Sequence, residues 1–196
     1  MKVLVACEFS GVVRDAFIRK GHEAMSCDLL PTDSPGPHYQ GDVRDILNDG
    51  WDLMIAHPPC THLAVSGARY FKDKQKEQAE ALEFVRQLLD APIERVALEN
   101  PIGVISSRIR KPDQIIQPWM FGHNESKATC LWLKGLLKLV PTNIVGNKGD
   151  IRDNQTPSGQ NKLGPSPDRW KLRSITYRGI ADAMADQYSK WVEDGN

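Results

Sequence analysis

The alternation of short apolar runs with segments of helical periodicity is the feature that most constrains the fold of this chain. Residues 2–7 (KVLVAC) form an apolar run suited to a buried parallel strand. Residues 12–20 (VVRDAFIRK) place apolar side chains at helical spacing and stop at Gly21, a residue type that commonly ends helices. This alternation predicts a layered α/β fold with a mostly parallel sheet. The same pattern predicts further strands at residues 22–27, 51–56 and 94–98.

The rest of the chain divides into helix, strand and loop by the same criteria. Residues 72–89 are the clearest predicted helix, because their apolar side chains share one side. Residues 128–140 are predicted to form a strand pair around Gly135, and residues 179–192 a terminal helix. Loops are predicted where Pro, Gly and small polar residues accumulate, at residues 30–41 and 146–170. The 196 residues fit a single domain.

Composition and local patterns exclude several classes of protein. With 40% hydrophobic and 26% charged residues, the chain has enough apolar material for one core, which argues against disorder. No apolar run approaches the roughly 18 residues that span a bilayer, and residues 1–7 lack the pattern of a signal peptide. The four cysteines form no CxxC pair, so neither a metal site nor a disulfide framework is expected. We expect an intracellular, cytoplasmic protein that binds no membrane and no metal.

Charge is unevenly distributed along the chain, although the net charge is zero. Residues 101–178 carry 13 Lys and Arg against 5 Asp and Glu, whereas residues 1–100 carry 11 against 16. A basic region of this kind suits a surface that faces a polyanion, and a solvated surface without a partner explains it equally well. Three tryptophans of this region are predicted either to stack on bases or to belong to the core: Trp119, Trp132 and Trp170.

Polar and aromatic residues follow the first two predicted strands, at the end of the sheet where α/β proteins bind ligands. Glu8, Phe9, Ser10 and Gly11 form a turn whose backbone N–H groups can meet a polar group of a ligand. Asp28 follows the second strand, where a carboxylate commonly accepts hydrogen bonds from a ribose diol. An ordinary turn with a surface aspartate is the alternative. The chain has neither a GxGxxG nor a GxxxxGK[ST] motif, which counts against dinucleotides and P-loop nucleotides.

Two further carboxylates occur at the boundaries of predicted elements. Asp42 precedes a short element and either binds an adenine amino group or caps that element. Glu99 follows the apolar run 96–98 and is a candidate general acid. A residue that merely begins a helix before Pro101 is the alternative for Glu99.

A cysteine after the predicted strand 51–56 has unusual neighbours. Pro58 and Pro59 restrict the backbone, so that Cys60 is presented rigidly just beyond the strand. A thiolate is the nucleophilic form of cysteine, and we therefore expect nearby positive charge to lower the pKa of Cys60. Either His57 or His62 is close enough in sequence to assist. A buried structural cysteine in a proline turn is the alternative.

Taken together and in this order, these motifs resemble those of the cytosine carbon-5 DNA methyltransferases. The resemblance covers most of residues 3–134 and then residues 174–192, where the segment 177–185 is similar to the final glycine-containing helix of the family. Pro59 and Cys60 match the nucleophile motif, with Ser66 downstream, and Glu99 and Asn100 match the catalytic Glu-Asn motif. The cofactor-binding residues that the resemblance implies are Glu8, Phe9, Ser10, Gly11, Asp28, Leu29, Asp42, Val43 and Pro58.

Several positions depart from the pattern of the family. Gly11 stands alone where the cofactor turn usually has more glycines, and Glu-Asn-Pro replaces Glu-Asn-Val. The Gln-x-Arg-x-Arg strand is missing, and Arg108, Arg110 and Lys127 are candidate substitutes for its substrate contacts. Ser66, downstream of the nucleophile, is a further candidate for contact with the substrate. Residues 141–173 form a reduced basic loop region in place of a target-recognition domain.

The resemblance implies a Rossmann-like methyltransferase fold with helices on both faces of the sheet, and S-adenosylmethionine as the cofactor. It implies methylation of carbon 5 of cytosine in DNA through a covalent adduct with Cys60, with closer kinship to short methylase-like proteins of phage genomes. Two alternatives stay open. One is the same chemistry on a free cytosine nucleotide or on single-stranded nucleic acid, and the other is an inactive protein that binds the cofactor or a partner.

Overall fold

A seven-stranded sheet organises the computed structural model, which describes residues 1–65, 72–146, 160 and 163–195. The order of the strands is β3-β2-β1-β4-β5-β7-β6. Neighbouring strands among the first five are parallel, and β7 runs antiparallel to both β5 and β6. The strands are β1 (Lys2–Ala6), β2 (Glu23–Asp28), β3 (His38–Gln40), β4 (Leu53–Ala56), β5 (Arg95–Pro101), β6 (Gln114–Ile116) and β7 (Thr129–Lys134).

Helices cover both faces of this sheet, which confirms the predicted Rossmann-like α/β fold. On one face, Leu4, Met54 and Leu98 pack against the apolar side of one helix, which includes Leu82 and Val85. The opposite face of the sheet packs against the first and last helices. Alternate side chains of each buried strand therefore enter different cores, which is why these strands read as continuous apolar runs. The helices are α1 (Val12–Arg19), α2 (Gln75–Leu89), α3 (Ile105–Arg108), α4 (Arg169–Ser174) and α5 (Arg178–Glu193).

The predicted strand pair at residues 128–140 is wrong in its second half. The chain leaves the sheet at Gly135, which has a φ of 61° and lies so close to the Glu94 carbonyl that an added Cβ would be 2.5 Å from that oxygen. The outer partner of β7 is instead β6, which the sequence analysis did not predict. After the turn, the Gln114 side chain bonds the backbone N–H and carbonyl of Leu139, at 2.8 and 2.7 Å. A side chain thus satisfies backbone groups that a hairpin would otherwise pair.

A buried arginine organises the loop that follows β2. The side chain of Arg14 is fully buried, and its guanidinium donates to the Ser26 hydroxyl at 3.1 Å and to the Ser34 carbonyl at 3.0 Å. It also pairs with the Asp15 carboxylate at 2.8 Å. Because these bonds satisfy a buried charge, the loop is held against α1. Within this predicted loop, residues 38–40 form the short strand β3.

The remaining predictions of elements have mixed outcomes. Most of the predicted loop 146–170 lies outside the described residues, and α4 begins within its last two positions. Among the described residues, no helix is long and apolar enough to cross a membrane. The described part of the chain also contains no cluster of three side chains able to hold a metal ion.

Candidate active site

A cavity of about 520 Å³ opens where β1, β2, β4 and β5 reach their carboxyl ends. This volume lies within the range of small-molecule sites. The cavity brings together segments that are far apart in sequence, because parallel strands deliver their following loops to one edge. Its walls include Phe9, Ser10, Asp28, His57, Pro58, Pro59, Cys60, Glu99, Asn100, Lys127, Trp170 and Arg173.

The nucleophile candidate lies on a short loop that begins where β4 ends. The backbone N–H of His57 donates to the Ala6 carbonyl at 2.9 Å, which continues the pairing with β1 by one residue. The Cys60 carbonyl accepts hydrogen bonds from Leu63 and Ala64, at 3.0 and 2.9 Å, and so closes a turn after the cysteine. The Cys60 side chain itself is exposed at the cavity wall. A substrate in the cavity can therefore reach its sulfur.

The expectation that positive charge lowers the pKa of Cys60 is wrong for the protein without ligands. Surrounding protein raises the pKa of this thiol by desolvation, and the carboxylate of Glu99 raises it further. The Lys127 ammonium lowers the pKa of Cys60 but does not offset the other two effects. The thiol is thus the resting form, and deprotonation has to accompany substrate binding or attack.

Glu99 pairs with a histidine across the two strand ends. Nδ1 of His57 lies 2.9 Å from Oε2 of Glu99, and both side chains are largely shielded from solvent. Burial by itself raises the pKa of Glu99, but the hydrogen bond and charge of His57, together with Lys127, lower it below its ordinary value. Burial likewise lowers the pKa of His57, but the Glu99 hydrogen bond and charge raise it above its ordinary value. Each group thus favours the charged form of its partner.

Asn100 ties the cysteine loop to the glutamate strand. Parallel pairing sets Ala56 beside Leu98, so the residues that follow each of them meet at the sheet edge. There the buried Nδ2 of Asn100 donates to the Pro58 carbonyl at 2.8 Å. This bond satisfies a carbonyl of the proline turn that holds Cys60, and it fixes the distance between the two loops.

A lysine closes the cavity on the side of β7. The ammonium of Lys127 donates to Oε1 of Gln160 at 2.8 Å and to the Arg173 carbonyl at 2.9 Å. Burial lowers the pKa of Lys127, although Glu99 and Cys60 act in the opposite direction. Of the three basic residues predicted to contact substrate, this is the one that lines the cavity.

A short basic helix forms the outer wall of the cavity. In α4 the Trp170 ring contacts Phe9 edge-on, with ring centroids 6.3 Å apart, and remains 58% exposed. Lys171 lies over the Phe9 ring at 5.1 Å and pairs with Asp33 at 2.6 Å. Exposed aromatic surface thus occurs beside basic residues at the opening of the cavity. Trp132, by contrast, is fully buried, so of the two predicted alternatives this residue belongs to the core.

Residues predicted to bind a cofactor divide into those that line the cavity and those that shape its turn. Phe9, Ser10 and Asp28 line it, and burial raises the pKa of Asp28 despite hydrogen bonds from backbone N–H groups. Glu8 also borders the cavity, but its buried carboxylate accepts the backbone N–H of Val13 at 2.7 Å and so caps α1. Gly11 has a φ of 75°, and its place in the turn favours a residue without a side chain.

Several predicted site residues are placed elsewhere by the structure. Asp42 accepts hydrogen bonds from the backbone and guanidinium of Arg44 and caps the turn 43–45. Arg110 donates to the Asp113 carboxylate at 2.6 Å and does not line the cavity. Arg108 borders a separate depression beside α2. Val43 is buried in the core, Leu29 is exposed outside the cavity, and Ser66 lies outside the described residues.

Comparison with known proteins gives distant likeness to solved structures alone. No protein-family model matches the chain, and no curated protein matches it. Among solved structures, the chain is similar to a proposed DNA modification methyltransferase encoded within a prophage, from E. coli, with 17% sequence identity and a TM-score of 0.46. The similarity covers 73% of this chain and 51% of the other, so the chain spans about half the length of that protein.

His57 and Arg173 line the cavity, although the sequence analysis does not select them as site residues. His57 had been named only as a neighbour of the cysteine, because nothing in the sequence shows that its ring reaches Glu99. Arg173 lines the cavity from α4, although it belongs to none of the motifs described above. The interleaving of basic and aromatic residues in Arg169-Trp170-Lys171 was the available signal for this wall.

Proposed function

We propose that this chain is an S-adenosylmethionine-dependent methyltransferase that acts on carbon 5 of cytosine in DNA. The observation that carries the proposal is the meeting of Cys60 and Glu99 in one cavity that also contains Phe9 and Asp28. A nucleophile, an acid and a nucleoside-type pocket are what this reaction requires within one space.

Carbon 5 of cytosine is a weak nucleophile, and covalent attack at carbon 6 makes it reactive. The sulfur of Cys60 would form a bond to carbon 6, so that carbon 5 becomes enamine-like. The Glu99 carboxyl group, once protonated, would donate to ring nitrogen 3 and stabilise the adduct. After carbon 5 has accepted a methyl group, loss of the proton from carbon 5 and expulsion of the Cys60 sulfur would complete the cycle. Lys127 would stabilise the Cys60 thiolate both before its attack on carbon 6 and after its expulsion, because it lowers the pKa of that thiol.

The end of the cavity beside β1 and β2 fits the cofactor. S-adenosylmethionine, when bound, supplies an electrophilic methyl group. The Phe9 ring offers an apolar surface, and the partly buried carboxylate of Asp28 can accept hydrogen bonds from a ribose diol. The methionine portion of the ligand would lie beside Ser10, close to the start of α1.

The outer wall of the cavity supports DNA as the source of the cytosine. The exposed ring of Trp170 offers a stacking surface for a base, and Lys171 and Arg173 add positive charge beside it. A cytosine in a duplex would have to leave the stack to reach Cys60, whereas a single strand presents it directly. The same cavity would admit a free cytosine nucleotide, for which the wall formed by α4 would contribute little.

The decisive experiment is covalent trapping on 5-fluorocytosine, because fluorine at carbon 5 blocks the final elimination. We expect intact-mass analysis to show a DNA–protein adduct that requires S-adenosylmethionine, and peptide mapping to locate it at Cys60. Trapping on duplex DNA, on single-stranded DNA and on dCMP, each with fluorine at carbon 5 of the cytosine, would distinguish the three substrates. The Cys60→Ser variant should form no adduct, and its transfer rate should fall by about 10³-fold or more.

The matched control is Cys7→Ser, which removes a cysteine that also borders the cavity but whose pKa burial strongly raises. This variant should retain trapping. An adduct at another residue would overturn the proposed nucleophile. Binding of S-adenosylmethionine without transfer to any of the three substrates would instead favour an inactive binding protein.

A further inference from the structure

We propose that His57 is a positioning residue that holds the proton which Glu99 delivers to the cytosine ring. The inference rests on the proposed function and extends it to a group that the Cys60 and Glu99 motifs do not include. The carboxylate and the imidazole would act as one unit, with the carboxyl group facing the base and the ring behind it.

The geometry fixes the imidazole for this role. Nδ1 lies 2.9 Å from Oε2 of Glu99, and the His57 backbone is bonded to Ala6 in β1. The His57 side chain is 9% exposed and the Glu99 side chain 18% exposed, so the pair lies within the cavity wall and the carboxyl group is the more accessible of the two. Nε2 of His57 is buried and accepts or donates no hydrogen bond within the described part of the chain. The ring therefore has one polar partner there, which is the carboxylate.

Charged groups from each neighbouring element favour a protonated pair. Besides Glu99 on β5, the Glu8 carboxylate after β1 raises the pKa of His57, whereas Lys127 before β7 lowers it. Cys60 on the same loop is an uncharged thiol at rest, because desolvation raises its pKa. Two carboxylates thus raise the pKa of the ring against one ammonium that lowers it, which favours retention of a proton by the pair.

The proton balance of the reaction uses this stored proton. The Cys60 thiol gives its proton to water and regains one when the sulfur is later expelled. When the sulfur bonds to carbon 6, the electron pair of the carbon 5–carbon 6 double bond moves into the ring and nitrogen 3 needs a proton. Nδ1 of His57 passes its proton to the Glu99 carboxylate, and the carboxyl group passes a proton to nitrogen 3. After carbon 5 has received the methyl group, its own proton leaves to water and the sulfur–carbon 6 bond breaks with both electrons on sulfur. Nitrogen 3 then returns its proton to the pair.

The first measurement does not depend on activity. NMR titration of the histidine Cε1–H signals, with His57 assigned by its loss in His57→Gln, should show His57 titrating above the ordinary value of about 6.5. In Glu99→Gln the His57 pKa should fall below that value, because burial then acts without a carboxylate beside the ring. A His57 signal that titrates below the ordinary value in the unaltered protein would overturn the proposal.

The second measurement is the pH profile of methyl transfer. His57→Gln keeps a donor beside Glu99 but stores no proton, so transfer at pH 8 should fall by about 100-fold. The loss should shrink as pH falls, because the carboxyl group then takes its proton from water. His62→Gln is the matched control, since His62 lies on the same loop but does not line the cavity.

The outcomes separate the two proposals. A loss in His57→Gln that is equal at every pH indicates a purely structural role and overturns this one. If the His57 pKa from NMR is raised as expected but the unaltered protein transfers no methyl group, the protonated His57–Glu99 pair is supported and the proposed function is wrong.

Discussion

Lys127 and Cys60 show how single side chains set the reactivity of this cavity. The cysteine is exposed at the cavity wall, yet desolvation by the surrounding protein and the Glu99 carboxylate raise its pKa, and the Lys127 ammonium is the largest influence in the opposite direction. The reactivity of the thiol therefore depends on an ammonium that is itself held by Gln160 and the Arg173 carbonyl. A change that displaces Lys127 should therefore lower the reactivity of Cys60 without altering the cysteine itself.

Replacement of this lysine should change the pH dependence of alkylation at Cys60. In Lys127→Gln the pKa of Cys60 should rise, because the charge that favours the thiolate is removed. The pH midpoint for modification by iodoacetamide, followed by mass spectrometry of the Cys60 peptide, should consequently move to higher pH. Lys138→Gln removes an exposed lysine outside the cavity and should leave the midpoint in place. An unchanged midpoint in Lys127→Gln would contradict this electrostatic account.

The sequence predicted part of the site because part of its chemistry is local. Cys60 was recognisable from two prolines and a preceding strand, and Glu99 from a carboxylate directly after an apolar run. Arg108 and Arg110 were named without any such local constraint, and the structure places both outside the cavity. The partnership of His57 with Glu99 joins two strands, so no pattern within one segment could reveal it.

At the scale of elements, α1 shows how a cap can be supplied from outside the usual position. Its N-cap residue is Gly11, which has no side chain, and the buried carboxylate of Glu8 instead accepts the backbone N–H groups of Val13 and Arg14, at 2.7 and 3.2 Å. Glu8→Gln should lower the free energy of unfolding by about 1–2 kcal/mol, as expected for a weakened cap in a buried position. Urea denaturation provides the measurement.

Glu23→Gln is a suitable control for this prediction, since Glu23 is an exposed residue at the start of β2. Its effect should stay within about 0.5 kcal/mol. Equal stability of Glu8→Gln and the unaltered protein would show that the cap contributes little to folding.

The start of α5 depends on a close approach between two backbones. A Cβ added to Gly179 would lie 1.8 Å from the Phe121 carbonyl oxygen, while the Gly179 N–H donates to Nε2 of His123 at 2.9 Å. Gly179→Ala should therefore destabilise the protein by about 1–3 kcal/mol, because the helix must move away from the segment it packs on. Gly164→Ala, at a position with open space around it, should have little effect on the same thermal unfolding curve. A loss of similar size in both variants would contradict the steric explanation.

The elements predicted correctly are those whose pattern is long enough to identify them. The strands within residues 2–7, 22–27, 51–56 and 94–98 and the helix within residues 72–89 are confirmed. The strands β3 and β6 contain three residues each, too few for a period to be visible, and they exist because β2 and β7 offer edges to pair with. Their positions depend on tertiary contacts that the sequence does not display.

At the scale of the whole molecule, the structure shows where the basic residues of the region 101–178 lie. Lys127 and Arg173 line the cavity and Lys171 lies over the ring of Phe9 in its wall, whereas Arg110 and Lys138 lie outside the cavity. Basic residues that form one continuous region of the sequence are thus divided in the structure between the cavity and other surfaces of the protein. Binding of single-stranded DNA should consequently show a moderate salt dependence.

The slope of log affinity against log salt concentration should be about −1.5 to −3, corresponding to two to four neutralised phosphates. Lys171→Gln should reduce the magnitude of that slope, because one cation is removed from the opening. Lys138→Gln should not change it. Fluorescence anisotropy with a labelled single strand at several salt concentrations gives these values, and affinity independent of salt would contradict a polyanion-binding surface.

The hydrogen bond from Asn100 to the Pro58 carbonyl has a mechanical consequence for the cavity. It ties the loop that carries Cys60 to the strand that carries Glu99. The bond therefore opposes separation of these two side chains when a ligand enters the cavity. Any widening of the cavity therefore has to come from the opposite wall, where the Trp170 ring contacts Phe9 edge-on. Under the proposed function, a base would therefore enter on the side of Trp170.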